Sequence, residues 1–286
     1  MSPLQSKIDF AVILRVHHAN PNGDPLNGNR PRTDYNGLGE ITDVCLKRKL
    51  RDRLAETGVA IFVQSDDRKT DDATSLSDRA SKILKDAFGG PDTARKACEA
   101  WFDVRAFGQL FAMKVKIKKG KGNGQEEADH GGDTGISIPI RGPVTVQSAF
   151  SVEPVDITTT HITKSVSGEG DGSKRGRDTM GAKHRVDSGV YVFFGSMNPQ
   201  LSERTGFSDV DAEVIKAVLP KLFENDASSA RPEGSMAVLK VFWWKHNSKA
   251  GQYSSAKVHG TLHVNPDGSY TLDLLDGLEA EQIDGF

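Results

Sequence analysis

The residues of this chain that could act on a metal-bound water lie in one asparagine-rich loop. Asp24 and Asp34 occur there, soon after the first apolar run of the chain. Acids beside a strand can hold a metal ion that activates water. Two acids separated by flexible sequence are too few for a hydrolytic centre. Turn formation with amide contacts is therefore the interpretation that we favour for this loop.

Histidines are the second group that could act chemically. His17 and His18 directly follow the first apolar run, a position where an RNase can place a general base. His259 and His263 are four residues apart on a predicted strand, so both should face the same side of it. Because no acidic residue has a ligand-like spacing to either pair, we expect histidines that are satisfied by their neighbours or face solvent.

Basic residues are concentrated in three segments, although the formal net charge is only −2. Residues 104–124 contain six Lys or Arg and no acid, and residues 161–185 contain six against three acids. Residues 234–266 contain four lysines and no acid, whereas residues 267–286 contain six acids and no base. This segregation indicates one positive and one negative surface, the pattern of a nucleic-acid binder. Any single run is also compatible with an ordinary solvated face.

A glycine-rich segment at 168–176, GEGDGSKRG, carries two adjacent bases. It lacks the Gly-Lys-Ser/Thr ending of a phosphate loop, and no strand leads tightly into a helix there. A flexible hairpin tip whose glycines let the backbone approach a polyanion fits better. An irregular surface loop is the alternative that the sequence leaves open.

The helix predicted after the asparagine-rich loop combines an apolar and a basic face. It should begin at Thr42 or Asp43 and run to about Thr57, with Gly58 ending it. One face carries Leu46, Leu50 and Leu54, and the roughly opposite face carries Lys47, Arg48 and Arg51. With the loop bases Arg30 and Arg32, these cations could contact phosphates. An amphipathic helix without such a role is the alternative.

The remaining pattern predicts a mixed fold. Strands are expected at 8–16 (central in the sheet), 60–63, 143–152, 157–164, 189–196, 236–244, 257–264 and 269–275. Helices are expected at 77–88, 93–103 and 209–224, the last broken at Pro220, and residues 17–40 should lack regular structure. This order favours an α+β fold, a largely antiparallel sheet with helices on one face, in a single domain spanning 1–286.

Composition narrows the class of protein. No apolar run approaches the eighteen or so residues of a membrane helix, and the start has no secretory pattern. The two cysteines, Cys45 and Cys98, fall in predicted helices and lack metal-ligand spacing. A cytoplasmic protein without a metal site or other cofactor is expected.

Several segments resemble one known family. They are NPNGDP (20–25), RPRTD (30–34), GEITDVCLKRKLRD (39–52), DVRAFG (103–108), IRGPVTVQSAFSVEP (140–154), MGAKHRVDSGVY (180–191) and TGFSDVD (205–211). In this order, across nearly the whole chain, they resemble the backbone subunit of the type I-C CRISPR Cascade, a member of the RAMP superfamily.

This resemblance implies an RRM-like, or ferredoxin-like, palm with inserted fingers at about 64–135 and a β-hairpin thumb at about 156–188. It implies copies that polymerise along CRISPR RNA, present the guide for pairing with target DNA, and are capped by other Cascade subunits. The type I members of the family do not cleave, so no enzymatic activity is expected. A metal-dependent RNase of the type III kind, acting through Asp24, is the alternative.

The candidate RNA-binding residues combine the basic segments with this resemblance. They are Asn22, Arg30, Arg32, Lys47, Arg48, Arg51, Arg105, Arg141, Lys164, Lys174, Arg175, Arg177, Met180, Lys183 and Arg185. The resemblance implies that Met180 is an apolar wedge for a displaced nucleotide, and a core methionine is the other interpretation. Paired aromatic RRM motifs are absent from the sequence, so base stacking on the sheet is not expected.

Overall fold

A large antiparallel sheet organises the chain, whose computed structural model describes residues 2–114, 135–163 and 180–286. The central strand β1 (Ile8–Ala19) lies between β10 (Met180–Met197) and β11 (Met236–Lys245). Beyond β11, β14 (Ala280–Asp284) forms one edge. On the other side follow β8 (Ala149–Pro154), β4 (Leu38–Ile41), β3 (Arg30–Thr33) and β2 (Gly23–Asp24), while β7 (Val144–Val146) and β9 (Ile157–Thr163) also pair with β10.

The central strand is apolar on both sides because both faces of the sheet are covered. Phe10, Val12 and Leu14 belong to the larger core, whereas Ala11 and Ile13 belong to a second core on the opposite face. All five are fully buried. The prediction of a central strand at the first apolar run is confirmed, although the strand extends three residues further than expected.

Two helices cover the face with the larger core. α1 (Asp43–Glu56) starts at Thr42, whose Oγ1 accepts the Cys45 N–H at 3.3 Å, and its three leucines are fully buried as predicted. α6 (Asp209–Val218) starts at Ser208 with a reciprocal capping box. A 3₁₀ turn containing Pro220 follows α6, which confirms the predicted break.

The opposite face is covered by a short helix and a hairpin. α7 (Ser255–His259) and the pair β12 (Leu262–Val264) and β13 (Tyr270–Leu272) pack their apolar residues onto it. The predicted strand at 257–264 is therefore wrong in its first half, because Ser254 caps a helix there. His259 ends that helix and His263 lies on β12, so the two do not share a strand.

Described residues of the ranges 62–114 and 135–141 build a third core beside the main sheet. It contains α2 (Leu76–Leu84), α3 (Thr93–Ala100), α4 (Phe102–Phe107) and the pair β5 (Gly108–Lys114) and β6 (Gly135–Arg141). The helices predicted here are confirmed, but the strand predicted at 60–63 is not. The backbone N–H groups of Phe62 and Val63 donate to the Asp103 carboxylate, at 2.7 and 3.1 Å, instead of to a neighbouring strand. α5 (Pro199–Thr205) follows β10.

The asparagine-rich loop contains more regular structure than predicted. Strands β2, β3 and β4 occupy part of it, with a 3₁₀ turn at Pro25–Asn27 between the first two. Gly28 and Asn29 adopt positive φ values of 58° and 59°, which turn the chain back into β3. Across the described ranges, no helix has the length and apolar character needed to span a membrane.

Candidate nucleic-acid interface

A two-stranded ribbon projects from the main sheet. β9 pairs with the first part of β10 in antiparallel register, from Thr163 opposite Met180 to Ile157 opposite Val186. The strand predicted at 157–164 is therefore present in its described residues and is paired. Because β10 is one continuous strand of 18 residues, its second half anchors the ribbon beside β1. The predicted glycine-rich tip and the cations Lys164, Lys174, Arg175 and Arg177 lie outside the described residues.

A groove of about 330 Å³ lies at the base of this ribbon. Its walls include His18 and Asn20 from the end of β1, and Lys183, His184 and Arg185 from β10. A turn at 228–231 closes the opposite wall, where the Ala230 carbonyl accepts the Asn20 N–H at 2.8 Å. The groove thus brings together three segments that are far apart in sequence.

Two cations near this groove have neutral hydrogen-bond partners. Lys183 Nζ donates to the Ser229 carbonyl at 3.5 Å, and Arg30 Nη2 donates to Thr159 Oγ1 at 3.4 Å. Both side chains are exposed, and neither forms an ion pair with a carboxylate of the described residues. Such cations retain donors for phosphate oxygens, because Lys has three N–H groups and Arg five.

Arg185 and His18 lie close to one carboxylate, that of Asp187, at the base of the ribbon. Asp187 accepts Thr158 Oγ1 at 2.6 Å and lies 3.4 Å from Arg185 Nε. The Thr158 hydroxyl and then Arg185 lower the pKa of the Asp187 carboxyl. His18 Nδ1 lies 3.6 Å from the same carboxylate, and its φ of 50° is uncommon outside glycine. Its ring packs on that of His17, with centroids 4.0 Å apart.

Asp24 and Asp34 have local structural partners. Asp24 Oδ1 accepts the Leu26 N–H at 3.1 Å and pairs with Arg32 Nη2 at 3.4 Å. Asp34 Oδ1 accepts the N–H groups of Asn36 and Leu38 at 2.8 and 2.9 Å. The turn-forming interpretation of both acids is confirmed. Within the described ranges, no group of three or more His, Cys, Asp or Glu is arranged to hold a metal ion.

Asn22 holds the start of α1. Its Oδ1 accepts both the backbone N–H of Thr42, at 3.0 Å, and the Thr42 hydroxyl, at 2.9 Å. Its carbonyl also accepts the Arg32 N–H at 3.2 Å. These contacts tie the asparagine-rich loop to the helix that carries the predicted basic face.

The predicted basic face of α1 is largely paired with acids. Lys47 Nζ lies 3.1 Å from Asp43, one helical turn earlier. Arg48 is half exposed and lies 3.5 Å from Asp67 and 3.9 Å from Asp52. At such exposed positions these pairs contribute about 0–1 kcal/mol, so phosphates could compete for both cations.

Arg51 and Arg105 are held by buried acids instead. Arg51 Nε donates to Asp103 at 2.9 Å, and Asp103 is 1% exposed. Arg105 makes a bidentate pair with Asp211, at 2.8 and 3.2 Å. These geometries assign both arginines to packing between helices, and the proposals below leave them out. The acids were not recognised from the sequence because they lie 52 and 106 residues away.

The last two candidates lie at different places. Arg141 is exposed at the end of β6, opposite Gly108, in a sheet separate from the ribbon. Met180 stands on β10 opposite Thr163 and is 73% exposed. The interpretation of Met180 as a core methionine is therefore wrong, and its role as a wedge stays a prediction.

Comparison with known proteins found matches in sequence and in structure. Residues 6–280 match the family model of CRISPR-associated protein Cas7. A CRISPR-associated protein Cas7 of Haloferax volcanii is 28% identical over 281 residues, covering 93% of this chain and 78% of that protein. Chains of two solved structures also match. One, a CRISPR RNA-guided surveillance complex, has a TM-score of 0.46 at 16% identity, covering 92% of this chain and 78% of that one. The other, a pre-nicking surveillance complex, has 0.45 at 15%, covering 84% and 78%.

Proposed function

Because the chain belongs to the Cas7 family of CRISPR-associated proteins, we propose that it is an RNA-binding backbone subunit of an RNA-guided surveillance complex. Its partners are CRISPR RNA, further copies of itself, and the other subunits of a type I-C Cascade in the cytoplasm. The protein grips the RNA backbone, and base pairing between guide and target DNA supplies the sequence specificity.

The observation that carries this proposal is the set of exposed cations around the ribbon base. Among the described residues, Lys183 and Arg30 have neutral partners only, and Arg185 shares one exposed carboxylate with His18. Lys and Arg at such positions bind phosphates with little dependence on sequence. Lys47 and Arg48 extend the same chemistry along α1, since their ion pairs are weak at the surface. Met180, exposed farther along β10, is available to wedge between nucleotides.

The non-catalytic part of the proposal is supported by the contacts of Asp24. Its carboxylate caps the 3₁₀ turn and pairs with Arg32, so Asp24 has a structural role. A metal ion at Asp24 would have to compete with the Arg32 guanidinium for this carboxylate. The RNase alternative therefore has no observation that favours it.

The salt dependence of RNA affinity tests the proposal. Full-length protein is titrated with unrelated single-stranded RNAs of equal length at several salt concentrations. Replacing Arg30, Lys183 and Arg185 by Ala should lower the slope of log affinity against log salt by roughly 2, at about 0.7 per phosphate contact. The loss should be equal for all sequences.

The matched control is Lys240→Ala, which removes a cation paired with Asp284 at the β14 edge of the sheet. This variant should bind RNA like the wild type. Particle size should also grow with RNA length, because a backbone subunit adds copies along the strand. Affinity lost for only one sequence, or a wild type that binds no RNA, would contradict the proposed function.

A further inference from the structure

A buried ion cluster joins α1 to the turn that closes one wall of the groove. The Asp226 carboxylate accepts a hydrogen bond from Lys49 Nζ and another, at 3.1 Å, from Arg231 Nε. Lys49 is 3% exposed, and the side chain of Asp226 is 12% exposed. We propose that Lys49 and Asp226 are positioning residues for RNA binding, which fix the 228–231 turn and through it Lys183. This inference rests on the proposed function.

The turn is closed by its own backbone. Ser228 N–H donates to the Arg231 carbonyl at 2.8 Å, and Arg231 N–H donates back to the Ser228 carbonyl at 3.1 Å. Its two tip residues face the groove, where the Ser229 carbonyl accepts Lys183 Nζ and the Ala230 carbonyl accepts the Asn20 N–H. The turn is therefore the only described hydrogen-bond partner of the Lys183 ammonium.

The cluster is strong enough to act as an anchor. Burial lowers the pKa of the Lys49 ammonium, and the hydrogen bond and charge of Asp226 oppose this shift. Removing one partner of a buried pair leaves an uncompensated charge, which is far more costly than losing a surface pair. Because Arg231 belongs to the turn and Lys49 to α1, the Asp226 carboxylate between them links the turn to α1.

A fixed turn affects RNA binding through the three N–H donors of the Lys183 ammonium. The Ser229 carbonyl contacts the ammonium at the long distance of 3.5 Å and orients it, and at least two of the three donors remain for phosphate oxygens. A lysine side chain held in place loses less conformational entropy when it binds than a free one does. A displaced turn would release Lys183 and lower the affinity, although neither Lys49 nor Asp226 is exposed enough to reach RNA.

The experiment compares Asp226→Asn and Lys49→Met with Lys183→Ala and with the double variant Asp226→Asn/Lys183→Ala. RNA affinity and its salt slope are measured on full-length protein with one single-stranded RNA. Lys49→Met leaves Arg231 as a counter-ion for Asp226, so it is expected to fold even where Asp226→Asn does not. Asp284→Asn, which breaks the Lys240 pair at the far sheet edge, is the matched control.

Either anchor variant should weaken binding between about 2- and 30-fold, the range for mutations that act through a network. Each should lower the salt slope by about 0.7, as Lys183→Ala does, and the double variant should show no further fall. Mere destabilisation reduces the folded fraction but leaves the slope unchanged, so an unchanged slope, or additive effects, would overturn the inference. A wild type that binds no RNA would reject the proposed function, and the inference with it.

Discussion

Asp103→Asn tests whether Arg51 is a structural cation or an RNA-binding one. Asp103 is buried, and its Oδ2 accepts Arg51 Nε at 2.9 Å and Val63 N–H at 3.1 Å. Its Oδ1 accepts Phe62 N–H at 2.7 Å. An asparagine keeps the shape and one acceptor, but it removes the negative charge and turns a second acceptor into a donor. Arg51, whose side chain is 14% exposed, then lacks its counter-ion.

The magnitude follows from this geometry. Breaking a buried ion pair by removing one partner costs roughly 3–5 kcal/mol. The lower end applies, because Arg51 keeps some contact with water and lies 5.2 Å from the centre of the Phe107 ring. A loss of about 3 kcal/mol is a large share of a total stability of roughly 5–15 kcal/mol. The variant should therefore unfold at a clearly lower urea concentration.

Urea unfolding of Asp103→Asn, Arg51→Met and the double variant measures the pair. The double variant should be more stable than the sum of the single losses predicts, by about 0.5–3 kcal/mol. Arg48→Met is the matched control on the same helix, and its half-exposed side chain should change stability by no more than about 0.5 kcal/mol. The reasoning would be refuted if Asp103→Asn cost under about 1 kcal/mol. It would equally fail if Arg51→Met folded normally and lowered the RNA salt slope by about 0.7.

Three further predictions concern cleavage, acid and the ribbon. Asp24→Asn should leave labelled RNA as intact in Mg²⁺ as the wild type does; wild-type cleavage that the variant abolishes would move the protein to the enzymes. Burial lowers the pKa of His259 below its ordinary value of 6.5. At acidic pH the unfolded chain therefore binds more protons at this residue than the folded protein does, so the free energy of unfolding should fall as the pH drops below about 6.5. Thermal unfolding from about pH 8 to about pH 5 should show this fall, and His259→Gln should reduce it, whereas an equal fall in both proteins would contradict the assignment. Met180→Ala should change stability by less than about 0.5 kcal/mol, because Met180 is 73% exposed. If Met180 wedges between nucleotides, Met180→Ala should also reduce the fluorescence of 2-aminopurine in the bound RNA, because this base emits more strongly when it is unstacked. Unaltered fluorescence would exclude the wedge.

The elements that the sequence predicted well are those with a strong local pattern. The leucine spacing and the Thr42 cap of α1 agree with the structure because helix periodicity and capping act within a few residues. The break at Pro220 is a direct result of the missing N–H group. β1 was recognisable because a strand buried on both faces reads as a continuous apolar run.

The wrong predictions arose where strand pairing, a buried side chain or a helix cap overrode the local apolar pattern. β2, β3 and β4 are two to four residues long, so their turn-rich sequence hides strands that exist only through their neighbours. At 60–63 a predicted strand is absent. The N–H groups of this apolar segment donate to the buried Asp103 carboxylate instead of to a neighbouring strand. Around His259 the alternating pattern resembled a strand, whereas the Ser254 cap started a helix.

For the candidate site, composition identified the cations but not which of them are paired with acids. Arg51, Arg105 and Lys183 look alike in sequence, yet the first two are paired with buried acids, whereas the partner of Lys183 in the described part of the chain is a carbonyl. The acids lie far away in the chain, so no spacing rule could have assigned them. Lys49 was missed for the same reason, since its partner Asp226 lies 177 residues further on.

The covering of the sheet limits where RNA can bind. A protein that stacks bases on its central strands needs one open face there. Here Phe10 and Val12 are buried under α1 and α6, and Ala11 and Ile13 are buried with residues of α7 and β12 on the other face. Extended RNA is therefore excluded from the centre of the sheet, and the ribbon base at the end of β1 offers exposed cations instead. Contacts to phosphates at such a place are indifferent to sequence, which is what the proposed function, with sequence specificity supplied by base pairing, requires.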